Sequence, residues 1–94
     1  MNDIDNTGML YRAILSLKTP EECRAFFEDL CTPQELKAMA QRIKVAQLLK
    51  SGENYKTITS STGASTATIS RVNKTMTYQT AGGYDTVLRR IGEK

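Results

Sequence analysis

The sequence predicts an all-α, multi-helix domain of about five to six helices built around a helix-turn-helix. Three observations carry this expectation. Apolar residues recur at helical spacing along most of the 94 residues. Two segments, Thr19-Pro20-Glu21-Glu22 and Thr32-Pro33-Gln34-Glu35, each set out an N-cap, a first-turn proline and a capping-box acid in order. Gly63 stands between two short helical segments, where a sharp reversal needs the backbone freedom of glycine.

The elements follow in chain order. Met9, Leu10, Ala13, Ile14 and Leu17 predict a first helix over Met9 to Leu17, after a polar tail expected to fray. The first cap launches a second helix, with Cys23, Phe26, Phe27 and Leu30 on one face. The second cap launches the longest helix, from Pro33 to Lys50, ended by Ser51-Gly52. Its apolar residues, from Leu36 through Ile43 and Val45 to Leu49, occupy most of the circumference, as in a helix surrounded by others. Tyr55 to Thr62 is the expected supporting helix of the helix-turn-helix. Its threonines have poor helix propensity, so tertiary packing must hold it, with Ile58 and Ile69 meeting under the turn.

In the segment after Gly63, Ser65, Ile69, Val72 and Met76 form a stripe that can pack inward. Thr66, Ala67, Ser70 and Lys74 share the opposite side. Small polar side chains let a helix sit deep in a DNA major groove about 12 Å wide. The candidate DNA-contacting residues are Lys56, Ser65, Thr66, Ala67, Ser70, Arg71 and Lys74, with Thr66, Ala67 and Ser70 facing bases and Lys56, Arg71 and Lys74 facing phosphates. The bland alternative is an ordinary pair of surface helices with a Ser/Thr-rich linker. Thr77 to Gly83 is expected to be turn-rich, and Tyr84 to Ile91 a final helix that packs through Tyr84, Val87, Leu88 and Ile91.

Composition limits the chemistry. Residues 1–31 hold six acids and three bases, a net of −3, whereas residues 32–94 hold ten bases and four acids, a net of +6. The basic portion suits a polyanion such as double-stranded DNA. The chain has no histidine, which removes the commonest general base and zinc ligand. Cys23 and Cys31 are eight apart and form no CxxC pair, so no metal site is expected and each cysteine is read as a small buried residue in a reducing compartment. No uninterrupted apolar run exceeds three residues, so no membrane span or secretion signal is expected. Acids such as Glu35, Glu53 and Asp85 form no constellation with a nucleophile, so no enzyme activity is expected. The chain is expected to form one domain, with dimerisation helices over 1–31, a long core helix over 32–52, the helix-turn-helix over 55–75 and a C-terminal helix over 84–91. Its helices offer more apolar face than one small chain covers, which predicts a homodimer.

Leu30-x-Thr32-Pro33-x-Glu35-x-x-Ala38-x-x-x-Arg42, Leu48-Leu49-x-x-Gly52 and Gly63-Ala64-x-x-Ala67-Thr68-Ile69-x-Arg71 resemble the tryptophan repressor superfamily. Ser65 to Asn73, with Tyr78 and Gly82-Gly83-Tyr84 downstream, is closer to its YerC/YecD-type branch. The resemblance covers about residues 30–90. It implies an intertwined homodimer that binds operator DNA as a cytoplasmic transcriptional regulator. It also implies an effector pocket in which Arg42 and Arg71 sandwich an indole ring and Thr32 helps to hold a carboxylate.

Val72 departs from that pattern, because the repressor carries glycine at this position, against which the indole rests. An added isopropyl group in a close-packed pocket costs about 1–3 kcal/mol. The expectation is therefore a regulator, read as a repressor, that does not depend on tryptophan; a different small-molecule corepressor stays open. The alternative function is a helical dimerisation or adaptor module that binds a protein partner and not DNA.

Overall fold

The computed structural model describes residues 4–78 and 81–92. Six helices occupy them: α1 Ile4–Leu15, α2 Pro20–Leu30, α3 Pro33–Lys50, α4 Tyr55–Thr62, α5 Thr66–Tyr78 and α6 Gly83–Gly92. No strand occurs among the described residues, so the chain is all-α. It divides into two compact units, one through Leu36 and one from Lys37 onward.

In the N-terminal unit the helix starts follow from local capping. Thr19 sits in extended backbone and its side chain accepts from the Glu22 N–H at 3.0 Å, ahead of Pro20 in the first turn. Glu22 reaches back one residue beyond the cap, to the Lys18 N–H at 2.9 Å. Thr32 and Glu35 form the reciprocal box: the Glu35 N–H donates to Thr32 Oγ1 at 3.1 Å and the Thr32 N–H to Glu35 Oε1 at 2.8 Å.

Burial in this unit differs from expectation. No residue of α2 is buried; Phe26 and Phe27 are half-buried and stack edge to face with centroids 5.4 Å apart. Met9, Tyr11, Leu15 and Leu30 are exposed. Cys23 is exposed and Cys31 only half-buried, both as free thiols, so neither is the fully buried residue the sequence suggested. The first helix also starts earlier than expected, at Ile4, and stops at Leu15. Asn6, Thr7 and Gly8 therefore lie within a helix rather than in a frayed tail.

The C-terminal unit has a core. Val45, Ala46, Ile58, Ala64, Ile69, Val72 and Leu88 are buried together, with Leu48, Leu49, Tyr55, Met76 and Tyr84 packed against them. Each of α3, α4, α5 and α6 contributes at least one of these residues, which ties the helix-turn-helix to the long helix by apolar burial. Lys50 and Asp85 add a surface ion pair at 3.4 Å between α3 and α6. Thr77 and Tyr78, expected in a turn, continue α5, and Gly83 begins α6; between them Gln79 and Thr80 lie outside the described residues and Ala81 and Gly82 belong to no helix. Of the expected packing face of α6, Leu88 is buried and Tyr84 half-buried, while Val87 and Ile91 remain exposed.

Candidate nucleic-acid interface

The turn between α4 and α5 is built from three residues of different character. Gly63 caps α4 in the left-handed region, at φ 74° and ψ 4°, and its N–H donates to the Thr59 carbonyl at 2.9 Å. Ala64 is 1% exposed and points into the core. Ser65 then starts α5: its hydroxyl accepts from the Thr68 N–H at 3.1 Å and lies 3.2 Å from Thr68 Oγ1. The recognition-type helix thus begins at Thr66, and Ser65 belongs to its exposed cap rather than to the buried stripe. The residue that does pack inward here is Ala64, which the sequence signals only as a small side chain next to glycine.

From that start the two sides of α5 separate. Ile69 and Val72 are buried and Met76 is half-buried, whereas Thr66, Ala67, Arg71 and Lys74 are exposed. Ser70 lies half-buried at the edge between the two sides. On α4, Ile58 is fully buried and Lys56 exposed, with the Asn54 side chain capping the helix by accepting from the Thr57 N–H at 2.8 Å. At the far edge, Asn73 Nδ2 donates to the Tyr55 hydroxyl at 3.5 Å, a long contact between α5 and α4.

The electrostatics favour an anion. No acidic residue occurs between Glu53 and Asp85, and the basic residues in that interval are Lys56, Arg71 and Lys74. All three are exposed on the helix-turn-helix. A duplex approaching Thr66 and Ala67 would therefore meet small neutral side chains flanked by cations and no carboxylate of the motif itself.

Two polar groups hold the turn that sequence reading did not identify. The Thr62 hydroxyl donates to the Ile58 carbonyl at 2.7 Å and accepts from the Ala64 N–H at 3.1 Å. Half-buried, this threonine closes the end of α4 with hydrogen bonds. Thr59, three residues earlier in α4, is exposed. Gln41, on α3, donates from Nε2 to the Thr62 carbonyl at 3.2 Å.

The positions of the expected effector pocket are placed as follows. Thr32 is exposed in the N-terminal unit, and its hydroxyl is engaged in capping α3. In the C-terminal unit Arg42 is half-buried, Arg71 is exposed and Val72 is 2% exposed within the core cluster. Among the described residues the salt bridge is Lys50–Asp85, and Arg42 takes no part in it. Val72 presents an isopropyl group packed into apolar surroundings, so the residues present do not fit a planar ring resting on bare backbone at this turn of α5. Among the described residues, no group of three His, Cys, Asp or Glu side chains is placed to hold a metal ion, and no helix is long and apolar enough to cross a membrane.

Six helices with a glycine-capped helix-turn-helix define a Trp-repressor-like fold, and comparison with known proteins agrees. The family model described as Trp repressor protein matches residues 5–92, and the chain belongs to that family. The chain is 49% identical over 84 residues, 89% of its length and 80% of the relative's, to the uncharacterized protein YerC of Bacillus subtilis (strain 168). A crystal structure of a TrpR-like protein from Eubacterium eligens superposes with a TM-score of 0.89 at 47% identity, covering 96% of this chain and 94% of that one. A candidate Trp repressor from Staphylococcus aureus superposes with a TM-score of 0.88 at 38% identity, over 100% and 98% of the two chains.

Proposed function

We propose that this protein is a sequence-specific DNA-binding transcriptional regulator, acting as a homodimeric repressor on a pseudo-palindromic operator without tryptophan. The observation that carries the reading is the division of α5: Ile69 and Val72 are buried while Thr66, Ala67, Arg71 and Lys74 face solvent, in a stretch free of acidic residues. Membership of the Trp repressor family supports it. In this reading Thr66, Ala67 and Ser70 meet base edges, Ser65 contacts DNA at the start of the helix, and Lys56, Arg71 and Lys74 meet phosphates.

Dimerisation is supported by apolar surface left open in both units. Met9, Tyr11, Leu15 and Leu30 are exposed in the N-terminal unit, which the reading assigns to subunit association. The C-terminal unit carries an open groove of about 420 Å³ whose lining includes Ile43, Tyr84, Val87 and Leu88. A two-fold mate would present a second recognition helix about 34–36 Å away, one turn of DNA. Tryptophan independence is supported by the buried Val72 side chain.

The test is selection of bound fragments from a random DNA pool by the purified protein, with and without tryptophan, followed by gel shift of a Thr66→Glu variant. The expected result is a pseudo-palindromic site recovered equally in both arms and lost by the variant, whose exposed carboxylate would face base edges and phosphates. Normal operator binding by Thr66→Glu sinks the assignment of α5. Absence of any salt-sensitive DNA binding by the wild type turns the reading to an adaptor that binds protein.

A further inference from the structure

Within the C-terminal unit, one polar contact reaches the turn of the helix-turn-helix from another helix. Gln41 lies in the middle of α3, and its side-chain N–H donates to the Thr62 carbonyl, 21 residues away in sequence, at 3.2 Å. Thr62 ends α4, so its carbonyl is among the last four that the helix leaves without an internal acceptor role. The Thr59 carbonyl is satisfied locally by Gly63, and the Thr62 hydroxyl is already committed to Ile58 and Ala64. Gln41 thus satisfies a terminal group that the turn's own residues leave open. Both Gln41 and Thr62 are half-buried, which limits the water available to replace the bond.

This bond constrains something that apolar packing does not. The cluster of Val45, Ala46, Ile58, Ile69 and Val72 holds the helices together by non-directional burial. A hydrogen bond to a carbonyl is directional and weakens steeply as its angle closes. The lever is long, because Lys74 lies eight residues beyond Thr66, about 12 Å along the axis of α5. A tilt of about 10° at the turn would carry Lys74 through roughly 2 Å and the base-facing Ser70, about 6 Å along the axis, through roughly 1 Å. A shift of about 1 Å at Ser70 spoils the geometry of a hydrogen bond to a base edge, whereas the long flexible side chain of Lys74 adjusts to its own shift and keeps a phosphate contact.

We infer that Gln41 is a positioning residue for DNA reading: its amide, carried on α3, fixes the angle at which α5 is offered to the duplex. It touches no DNA itself. The inference rests on the DNA-binding reading above.

The test uses the full chain and Gln41→Met, which keeps a long unbranched side chain and removes the donor. The quantity read is the ratio of affinity for the selected operator to affinity for non-specific DNA of the same length. The expected result is a roughly five- to tenfold fall in that ratio, with non-specific affinity within about twofold of wild type. Amide exchange at Gly63 and Ala64 should quicken in the variant while the melting temperature moves by only a few degrees. An unchanged ratio overturns the inference, as does a parallel fall in both affinities, which a purely structural role would give.

A measurement on the wild type covers the case in which the variant does not fold. The Gln41 side-chain amide should exchange with solvent more slowly than that of Gln34, which is exposed. Equal exchange overturns the inference. If wild-type protein binds no DNA in a salt-sensitive way, the DNA-binding reading fails and takes this inference with it. If wild type binds and the Gln41 variant discriminates equally well, only the role of Gln41 fails.

Discussion

Substitution of Gly63 isolates backbone strain from every other effect. The residue holds φ at 74°, and a Cβ built on it meets nothing within 4 Å. No neighbour has to move, so the penalty is local. An L-residue in this region costs about 1–2 kcal/mol, and alanine recovers about 0.4–1 kcal/mol by narrowing the unfolded ensemble. The net cost of Gly63→Ala is therefore about 1 kcal/mol, a fall in melting temperature of roughly 4–8 °C for a chain of this size.

Gly63→Asn should cost much less, because asparagine visits this conformation readily, and Gly63→Val more, because a β-branched residue there is a marked outlier. Thermal unfolding followed by far-UV circular dichroism at one fixed protein concentration checks the order, since the melting temperature of an oligomer depends on concentration. Operator affinity should fall in the same order. If Asn proves as damaging as Val, or Ala as stable as Gly, the attribution to φ is wrong and some unidentified contact of the turn is responsible.

Two further outcomes are expected. Lys74→Gln should weaken binding to operator and to unrelated duplex alike, and reduce the slope of log affinity against log salt by about 0.9, as one lost phosphate contact requires; an unchanged slope in a salt titration removes Lys74 from the interface. Thr32→Ala removes the hydroxyl that accepts from the Glu35 N–H, so chemical denaturation should show a loss of about 1 kcal/mol, and no change would mean that the cap of α3 is redundant.

What was legible in the sequence is what neighbouring residues settle among themselves. A threonine three residues before a glutamate, with proline between, can satisfy orphaned N–H groups wherever the chain goes, and both such segments start helices. Gly63 was legible for the same reason, since only the local backbone asks for a left-handed residue. Ile58, Ile69 and Val72 were legible because helical periodicity and the offset across the turn put them on one side. Ser65 was misassigned because periodicity was extended one residue too far: a hydroxyl that caps the helix was counted as part of its inner stripe. The early start of α1 and the late end of α5 were missed because neither bears a cap or breaker that the sequence displays plainly.

By itself the sequence determined where most helices begin, where the chain reverses and which side of α5 is apolar, because these depend on residues three or four apart. It could not rank the apolar positions of α3, where Val45 and Ala46 are fully buried and Ile43 is 45% exposed. Nor could it join Gln41 to a carbonyl 21 residues away, or assign the end of α4 to a threonine hydroxyl. Those outcomes belong to tertiary structure alone, because burial and long-range hydrogen bonding depend on what lies opposite a residue in space, and the periodicity of one helix carries no information about its neighbour.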